Sequence, residues 1–431
     1  MNSVAAAVDT ERLREDIETN GQFGASTDQQ SEEGHGRTVR TGSEANRRAR
    51  DRLVAELEAA GCEVRVDAVG NIAGRWTPAS ADLDAAPVAA GSHLDSVPNG
   101  GIFDGPLGVY AALESVRAMR EAGVTPARPV EVVCFTEEEG ATFADGLLGS
   151  SVAAGDRTVD DAHTLRDDDG QSLAAALEAI GYRGDGRLAA ADWDAWFELH
   201  VEQHTELETA GVAGGVVTDI TGITHCAVEI DGETNHAGST PMAGRADALA
   251  AASEVVLDVE AAARELSGAD RAVDDPTDPA AVGTVGSHEV APNATNVVPG
   301  HAELGVDIRS TTYESMESLV GTLRETLRRV EAERGVETRV ERGFDLEPTS
   351  MASRCCDALR AAGERVDVET LGLHSGAAHD SMYVAQVTDA GMLFAPSRDG
   401  LSHTPAEWTD WADCAAATRV LATAIADLAA E

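Results

Sequence analysis

Lysine is absent from this sequence. All 32 basic residues among its 431 are arginine, and 76 acidic residues oppose them, for a formal net charge of −44. Nucleic-acid binding needs a basic footprint, and a surface this acidic repels phosphate, so no nucleic-acid partner is expected. Long hydrophobic runs are missing too. No stretch approaches the roughly 20 apolar residues of a membrane span, and the first residues lack the charged and apolar regions of a secretory leader. The expectation is a soluble, cytoplasmic protein without a membrane partner. Cysteine is sparse: Cys62, Cys134, Cys226, Cys355, Cys356 and Cys414 are the only six. None has CxxC spacing, and the density is far below that of a disulfide scaffold. They read as free thiols, mostly buried as small hydrophobes.

What remains is enough for a core. The hydrophobic fraction is 43%, ordinary for a globular chain and too high for a disordered acidic one. The acidic excess is therefore spread over a folded surface, which repels itself and needs counter-ions. Without lysine and with abundant Ala, Asp and Glu, the composition resembles proteins of salt-in halophilic archaea. An acidic mesophilic protein is the alternative.

The pattern along the chain predicts an α/β fold. Residues 1–40 read as a polar, partly loose arm. A capping box at Thr41-Gly42-Ser43-Glu44 opens a helix carrying Ala49, Leu53 and Leu57, which stops at Gly61. Val64 to Ile72 alternates like a strand. Pro87 to Gly91 reads as a buried strand ending at Ser92-His93, and Val130 to Phe135 as another ending at Thr136. Between them lies a helix with Val109, Leu113 and Val116 on one face. Strands alternating with helices argue for a largely parallel sheet, whose strand C-termini are where such folds place their sites. From about residue 211 the pattern turns β-like, with an Ala-rich helix near Arg245 to Arg264. The expected division is 1–210 and 328–431 for one α/β domain, interrupted by an α+β insert at 211–327. Acidic stretches at 155–170 and 266–280 read as surface loops.

Four short segments carry candidate chemistry. Gly91–Gly105 (GSHLDSVPNGGIFDG) brings His93, Asp95 and Asp104 to a strand end and a Gly-rich turn. A His and a carboxylate can share a divalent ion, and a carboxylate can bridge two; Asp95 could steady the His93 imidazole from behind. Glu137-Glu138-Glu139 follows an apolar strand, where adjacent carboxylates can divide into ligand and general base. Glu198 to Gln203 (ELHVEQ) and Gly400 to Glu407 (GLSHTPAE) add His200 and His403. Each segment alone is also what an ordinary structural His or solvated acidic turn looks like.

Together, in this order, they resemble the dimetal M20 metallopeptidase-like superfamily of aminoacylases and glutamate carboxypeptidases. More narrowly they resemble its hydantoinase/carbamoylase amidase branch: N-carbamoyl-L-amino-acid hydrolases, β-ureidopropionases and allantoate amidohydrolases. TEEEG, NHAGSTPM, APNATNVVPG and SGAAHDS belong to the same resemblance, which runs from about Arg40 to Trp411. Thr142 departs from it, standing where the family often has Arg. The resemblance implies a dimetal aminopeptidase-like α/β domain interrupted by a lid and dimerisation domain. It implies two divalent ions, Zn²⁺ first, with Mn²⁺ or Co²⁺ also suited. His93 and His200 would each hold an ion, Asp104 would bridge the two, and Glu139 and His403 would complete the second site. Glu138 would be the general base. His236 would reach the active site of the partner in a homodimer and stabilise an oxyanion. Asn296 and Arg309 would grip a substrate carboxylate, and Gln203 would contact its ureido group. His379-Asp380 is expected near the site, without assigned chemistry. The implied reaction is hydrolysis of the ureido C–N bond of an N-carbamoyl-L-amino acid to amino acid, ammonia and carbon dioxide. Allantoate hydrolysis is the alternative, and aminoacylase or dipeptidase activity a more distant one.

Overall fold

The computed structural model describes residues 3–26, 35–144, 146–268 and 280–431. The chain divides into two compact units, Met1–Thr218 with Ser350–Glu431, and Asp219–Thr349. Among the described residues, no helix is long and apolar enough to cross a membrane.

The first unit is built on a mixed, mostly parallel sheet. From one edge its strands run Glu63–Val66, Ile72–Trp76, Val130–Phe135, Val88–His93, Ala195–Val201, Asp389–Ala395 and Gly214–Ile220, and Thr370–Ser375 also joins the last. The four in the middle are mutually parallel, and every residue of Val88–His93, Val130–Phe135 and Ala195–Val201 is buried. Strands covered on both faces read as continuous apolar runs, as these do. Helices Pro106–Glu121 and Trp411–Leu428 pack together beside them, each apolar nearly all round and correspondingly buried.

Several local expectations change. The stretch expected as one strand, Val64 to Ile72, is a hairpin of Glu63–Val66 and Ile72–Trp76. Its turn is held by the Asp67 carboxylate, which accepts the N–H groups of Val69, Asn71 and Leu188. The N-terminal arm is partly a helix, Thr10–Gly21, capped by Asp9 and burying Leu13 and Ile17. Residues 27–34 of the arm, and 269–279 of the acidic stretch at 266–280, lie outside the described residues. The stretch at 155–170 contains the helix Val159–Thr164, capped by the Thr158 hydroxyl.

The second unit is an antiparallel sheet in the order Glu337–Leu346, Gly222–Asp231, His301–Ser310, Ala281–Ala291. Helices Ala248–Leu266 and Tyr313–Arg334 bury Ala251, Val255, Leu319 and Leu323 against Leu304, Val306 and Ile308. Its limits differ from the expected 211–327. At the start, Gly214–Ile220 pairs with Asp389–Ala395 of the first unit's sheet. At the end, the helix runs on past Leu327 to Arg334, burying Val330, and the alternating strand after it pairs with Gly222–Asp231. The strand Glu337–Leu346, expected within the α/β domain at 328–431, is thus the insert's last strand.

Candidate active site

The first unit gathers its polar side chains at the C-terminal ends of the parallel strands, as open α/β sheets do. Val88–His93 ends on His93, Ala195–Val201 carries His200 next to its last residue, and Val130–Phe135 leads through Thr136 into Glu137-Glu138-Glu139. Asp104 arrives just before the helix Pro106–Glu121. The Gly105 between them has φ +82°, and a Cβ there would lie 2.5 Å from the His93 ring, so only glycine fits. His403 comes from the loop after Asp389–Ala395.

Asp104 is the hub. Its Oδ1 lies 3.3 Å from His200 Nε2 and 3.6 Å from His93 Nε2, and its Oδ2 lies 3.6 Å from His403 Nε2. His403 Nε2 is 3.1 Å from Glu139, and His93 Nε2 is 3.5 Å from Glu138. Three overlapping sets result, each with ligand atoms within 4.8 Å of one another: His93, Asp104 and His200; Asp104, Glu139 and His403; His93, Glu138 and Glu139. The other ring nitrogens favour a cation here. His93 Nδ1 meets the Asp95 carbonyl at 3.2 Å and His200 Nδ1 the Val201 carbonyl at 3.1 Å. A carbonyl only accepts, so both Nδ1 atoms carry hydrogen and both Nε2 atoms turn toward the carboxylates. His93 Nε2 is buried and has no hydrogen-bond partner among the described residues. A lone pair facing carboxylate oxygens needs a positive charge between them, either a proton or a metal ion.

The electrostatics follow from this crowding. Burial opposes ionisation of Asp104, but His200, His93 and His403 outweigh it and hold the carboxyl well below the usual range. Burial likewise opposes the His200 imidazolium, and Asp104 overcomes it, raising the ring to about 9. Glu139 raises His403 to about 9 through their hydrogen bond. Glu138 goes the other way: burial first, then Glu139, Asp380, Asp104 and Asp95, push its carboxyl well above the ordinary value.

Some supports differ from expectation. Asp95 meets the His93 ring through its main-chain carbonyl, while its carboxylate lies 3.8 Å away and accepts the Glu139 N–H at 3.1 Å. Glu137, expected as an extra neighbour, is fully buried at φ +58°, and its carboxylate accepts the N–H groups of Thr142 and Phe143. Those bonds offset a left-handed backbone conformation that costs a non-glycine residue about 1 kcal/mol. Gln203 donates to Asp104 Oδ2 at 3.3 Å. His379 packs edge-on against His200, their ring centres 4.6 Å apart.

Three supporting residues carried no role in the sequence reading. Arg37 is fully buried and donates to the carbonyls of Gly101 (2.9 Å), Leu94 (3.1 Å), Asp104 (3.4 Å) and Asp95 (3.5 Å). Glu198 accepts from Ser92 and from the Ser381 hydroxyl and N–H. Glu407 accepts from Phe103 and Asp104. Glu198 and Glu407 stood at the ends of the ELHVEQ and GLSHTPAE motifs; Arg37 has no sequence signal, because nothing local marks an arginine that folds under a loop about sixty residues away.

The remaining expected residues, His236, Asn296 and Arg309, belong to the second unit. His236 pairs with Val297 between two short strands, and Ala237 N–H donates to the Asn296 carbonyl, so His236 and Asn296 are neighbours. His236 Nδ1 accepts the N–H groups of Gly238 and Ser239 at 3.0 and 3.2 Å. Its proton therefore sits on Nε2, at the exposed edge of the ring. Arg245 braces this turn by donating to the Ala237 and Thr240 carbonyls. The Arg309 guanidinium is engaged by Asp307 two residues earlier on its strand.

The sequence signature of peptidase family M20/M25/M40 matches residues 82–427. The chain belongs to this family. It is 40% identical over 418 residues to an N-carbamoyl-L-amino-acid amidohydrolase of Paenarthrobacter aurescens, covering 95% of this chain and 96% of that one. An allantoate amidohydrolase of Bacillus subtilis is 33% identical over 82% and 83% of the two chains. A solved hydantoinase/carbamoylase-family amidase of Burkholderia multivorans superposes with a TM-score of 0.88 at 35% identity, over 98% of both chains.

Proposed function

We propose that this chain is a metal-dependent amidohydrolase acting on the ureido C–N bond of N-carbamoyl-L-amino acids. The observation that carries the reading is the buried His93 Nε2, without a hydrogen-bond partner among the described residues and facing Asp104 and Glu138. Three imidazoles, His93 among them, and the carboxylates of Asp104 and Glu139 fit two divalent ions, and the chemistry of the donors suits Zn²⁺, with Mn²⁺ or Co²⁺ compatible. The relative from Paenarthrobacter supports the substrate class.

In this reading His93 and His200 would hold one ion each, Asp104 would be shared between the two, and Glu139 with His403 would complete the second position. Bound ions supply Lewis acidity, which eases deprotonation of water and polarises the substrate carbonyl. Glu138 is the base that takes the water's proton as its oxygen attacks the ureido carbon. Having taken that proton, it can hand it to the leaving nitrogen. His236, with Nε2–H outward, is read as reaching the site of the partner in a homodimer, where it donates to the oxyanion that forms. Gln203 meets the ureido group, and Asn296 with Arg309 is read as holding the substrate carboxylate across the dimer; Arg309 must leave Asp307 to do so. One water is consumed, and the products are the amino acid, ammonia and carbon dioxide.

The second unit is read as a lid that also dimerises. Its sheet ends on an exposed strand, Ala281–Ala291, and Leu257 on the adjoining helix is 62% exposed. The cytoplasm is the proposed compartment, because all six cysteines are buried free thiols. The acidic, lysine-free composition supports a halophilic source.

The test is ammonia release by protein reconstituted with Zn²⁺ or Mn²⁺ in high KCl, on N-carbamoyl-L-amino acids, N-carbamoyl-β-alanine and allantoate. Turnover of N-carbamoyl-L-amino acids, abolished by chelator and restored by metal, is expected. Allantoate as the preferred substrate would move the reading to the activity of the Bacillus relative. Silence on all three from folded, metal-loaded protein would overturn it.

A further inference from the structure

Two motif residues have no place in the chemistry above: Gly101 in GSHLDSVPNGGIFDG, and Glu407 at the end of GLSHTPAE. They meet in space. The Glu407 carboxylate enters from the C-terminal side of the chain and accepts the N–H groups of Phe103 and Asp104 at 2.8 and 3.0 Å through one oxygen. Its other oxygen lies 3.4 Å from Ser402 Oγ, and the Ser402 hydroxyl donates to Asp104 Oδ2. Glu407 is buried. A Cβ on Gly101 would stand 2.2 Å from its carboxyl carbon, so the glycine is what admits the carboxylate. The loop carrying His403 thus grips, through Glu407 and Ser402, both the main chain and the side chain of Asp104, about 300 residues away in sequence.

We infer that Glu407 is a positioning residue that sets the Asp104 carboxylate and ties it to the His403 loop. This rests on the metal centre proposed above. Asp104 must present two oxygens in two directions, and it sits at the start of a helix whose first residues follow a Gly-rich turn. An acceptor shared by the N–H groups of Phe103 and Asp104 fixes that turn. The groups that orient metal ligands matter to affinity in this way, typically by about 10- to 100-fold when removed.

Length and charge of the side chain separate positioning from a general electrostatic role. Glu407→Gln keeps the reach and the acceptor oxygen but loses the charge. Glu407→Asp keeps the charge but falls short by one methylene. Zinc affinity is measured by competition with a chromophoric chelator, alongside thermal unfolding of the metal-free proteins. The visible absorption of the Co²⁺-loaded proteins reports coordination geometry directly. Positioning predicts that Glu407→Gln binds zinc within about fivefold of the parent and keeps its Co²⁺ spectrum. Glu407→Asp should lose about 10- to 100-fold and show an altered spectrum, while the metal-free protein melts near the parent. The reverse order, or parental affinity and spectrum in Glu407→Asp, would overturn the inference. If Glu407→Asp does not fold, Glu407→Gln decides alone: tenfold weaker zinc binding overturns it and near-parental binding supports it. A parent protein that takes up no zinc overturns the metal centre and this inference together.

Discussion

Replacing Arg37 with methionine should loosen the candidate site from beneath while leaving the fold intact. The guanidinium is fully buried and forks across four carbonyls of the segment 94–104, two at normal hydrogen-bond length and two at 3.4–3.5 Å. Bonds from a charged donor contribute about 1.5–3 kcal/mol each, and the two long ones add little. That gives about 3–6 kcal/mol. The folded protein also carries the desolvation of a buried guanidinium, so strongly that burial lowers its pKa despite Glu407, Asp104, Glu139 and Asp95 around it. Methionine removes that cost, leaving a net loss of about 2–4 kcal/mol. This is below the 5–15 kcal/mol that holds a typical domain, so the opening should be local. Amide hydrogen exchange in residues 94–104 should quicken by about 30- to 700-fold, at about 1.4 kcal/mol per tenfold, with little change in strand Gly214–Ile220. Arg37→Lys should fall between, because one ammonium cannot span the same carbonyls. Exchange within threefold of the parent across 94–104 would refute the reasoning, as would global unfolding of the methionine variant.

Glu138→Gln should retain two zinc ions by elemental analysis and lose about 10²–10⁴-fold in kcat; full activity with metal bound would exclude Glu138 as the base. Because His236 presents Nε2–H, His236→Gln, whose amide reaches that position, should keep at least tenfold more kcat than His236→Asn, which should lose about 10²–10³-fold. Steady-state kinetics on the two proteins decides it. Raising KCl from 0.1 M to 2 M should raise the melting temperature, since the Debye length falls from about 10 Å to about 3 Å at 1 M and the charge of −44 is screened; a flat profile would exclude surface repulsion as a destabilising force. His301 bonds Asp231 and Glu303 through its two ring nitrogens, and those bonds raise its pKa above 6.5. Its contribution is present in full below the unfolded value and lost as pH rises through the elevated folded one. His301→Ala should therefore lower the melting temperature at pH 6 more than at pH 9.

The sequence by itself determined what depends on short-range pattern. Buried strands such as Val88–His93 and Val130–Phe135 are apolar runs with abrupt polar ends, and their limits could be read within a residue. The candidate cluster was legible only through short motifs, each ordinary by itself and joined by their resemblance to a family, and the structure brings His93, Asp104, Glu139, His200 and His403 together. Tertiary structure decided what depends on partners distant in the chain. Alternation after residue 335 looks the same whether a strand joins the first sheet or the second, and only pairing with Gly222–Asp231 settles it. Asp95 follows His93 by two residues, yet whether its carbonyl or its carboxylate meets the ring depends on how the turn is held. Arg37 reaches the Leu94 and Asp95 carbonyls of that turn, and Glu407 the N–H groups of Phe103 and Asp104 further along the segment; neither stands near its partners in sequence. Burying an arginine or a glutamate costs free energy unless specific acceptors or donors wait at the other end, and the packed fold alone supplies them.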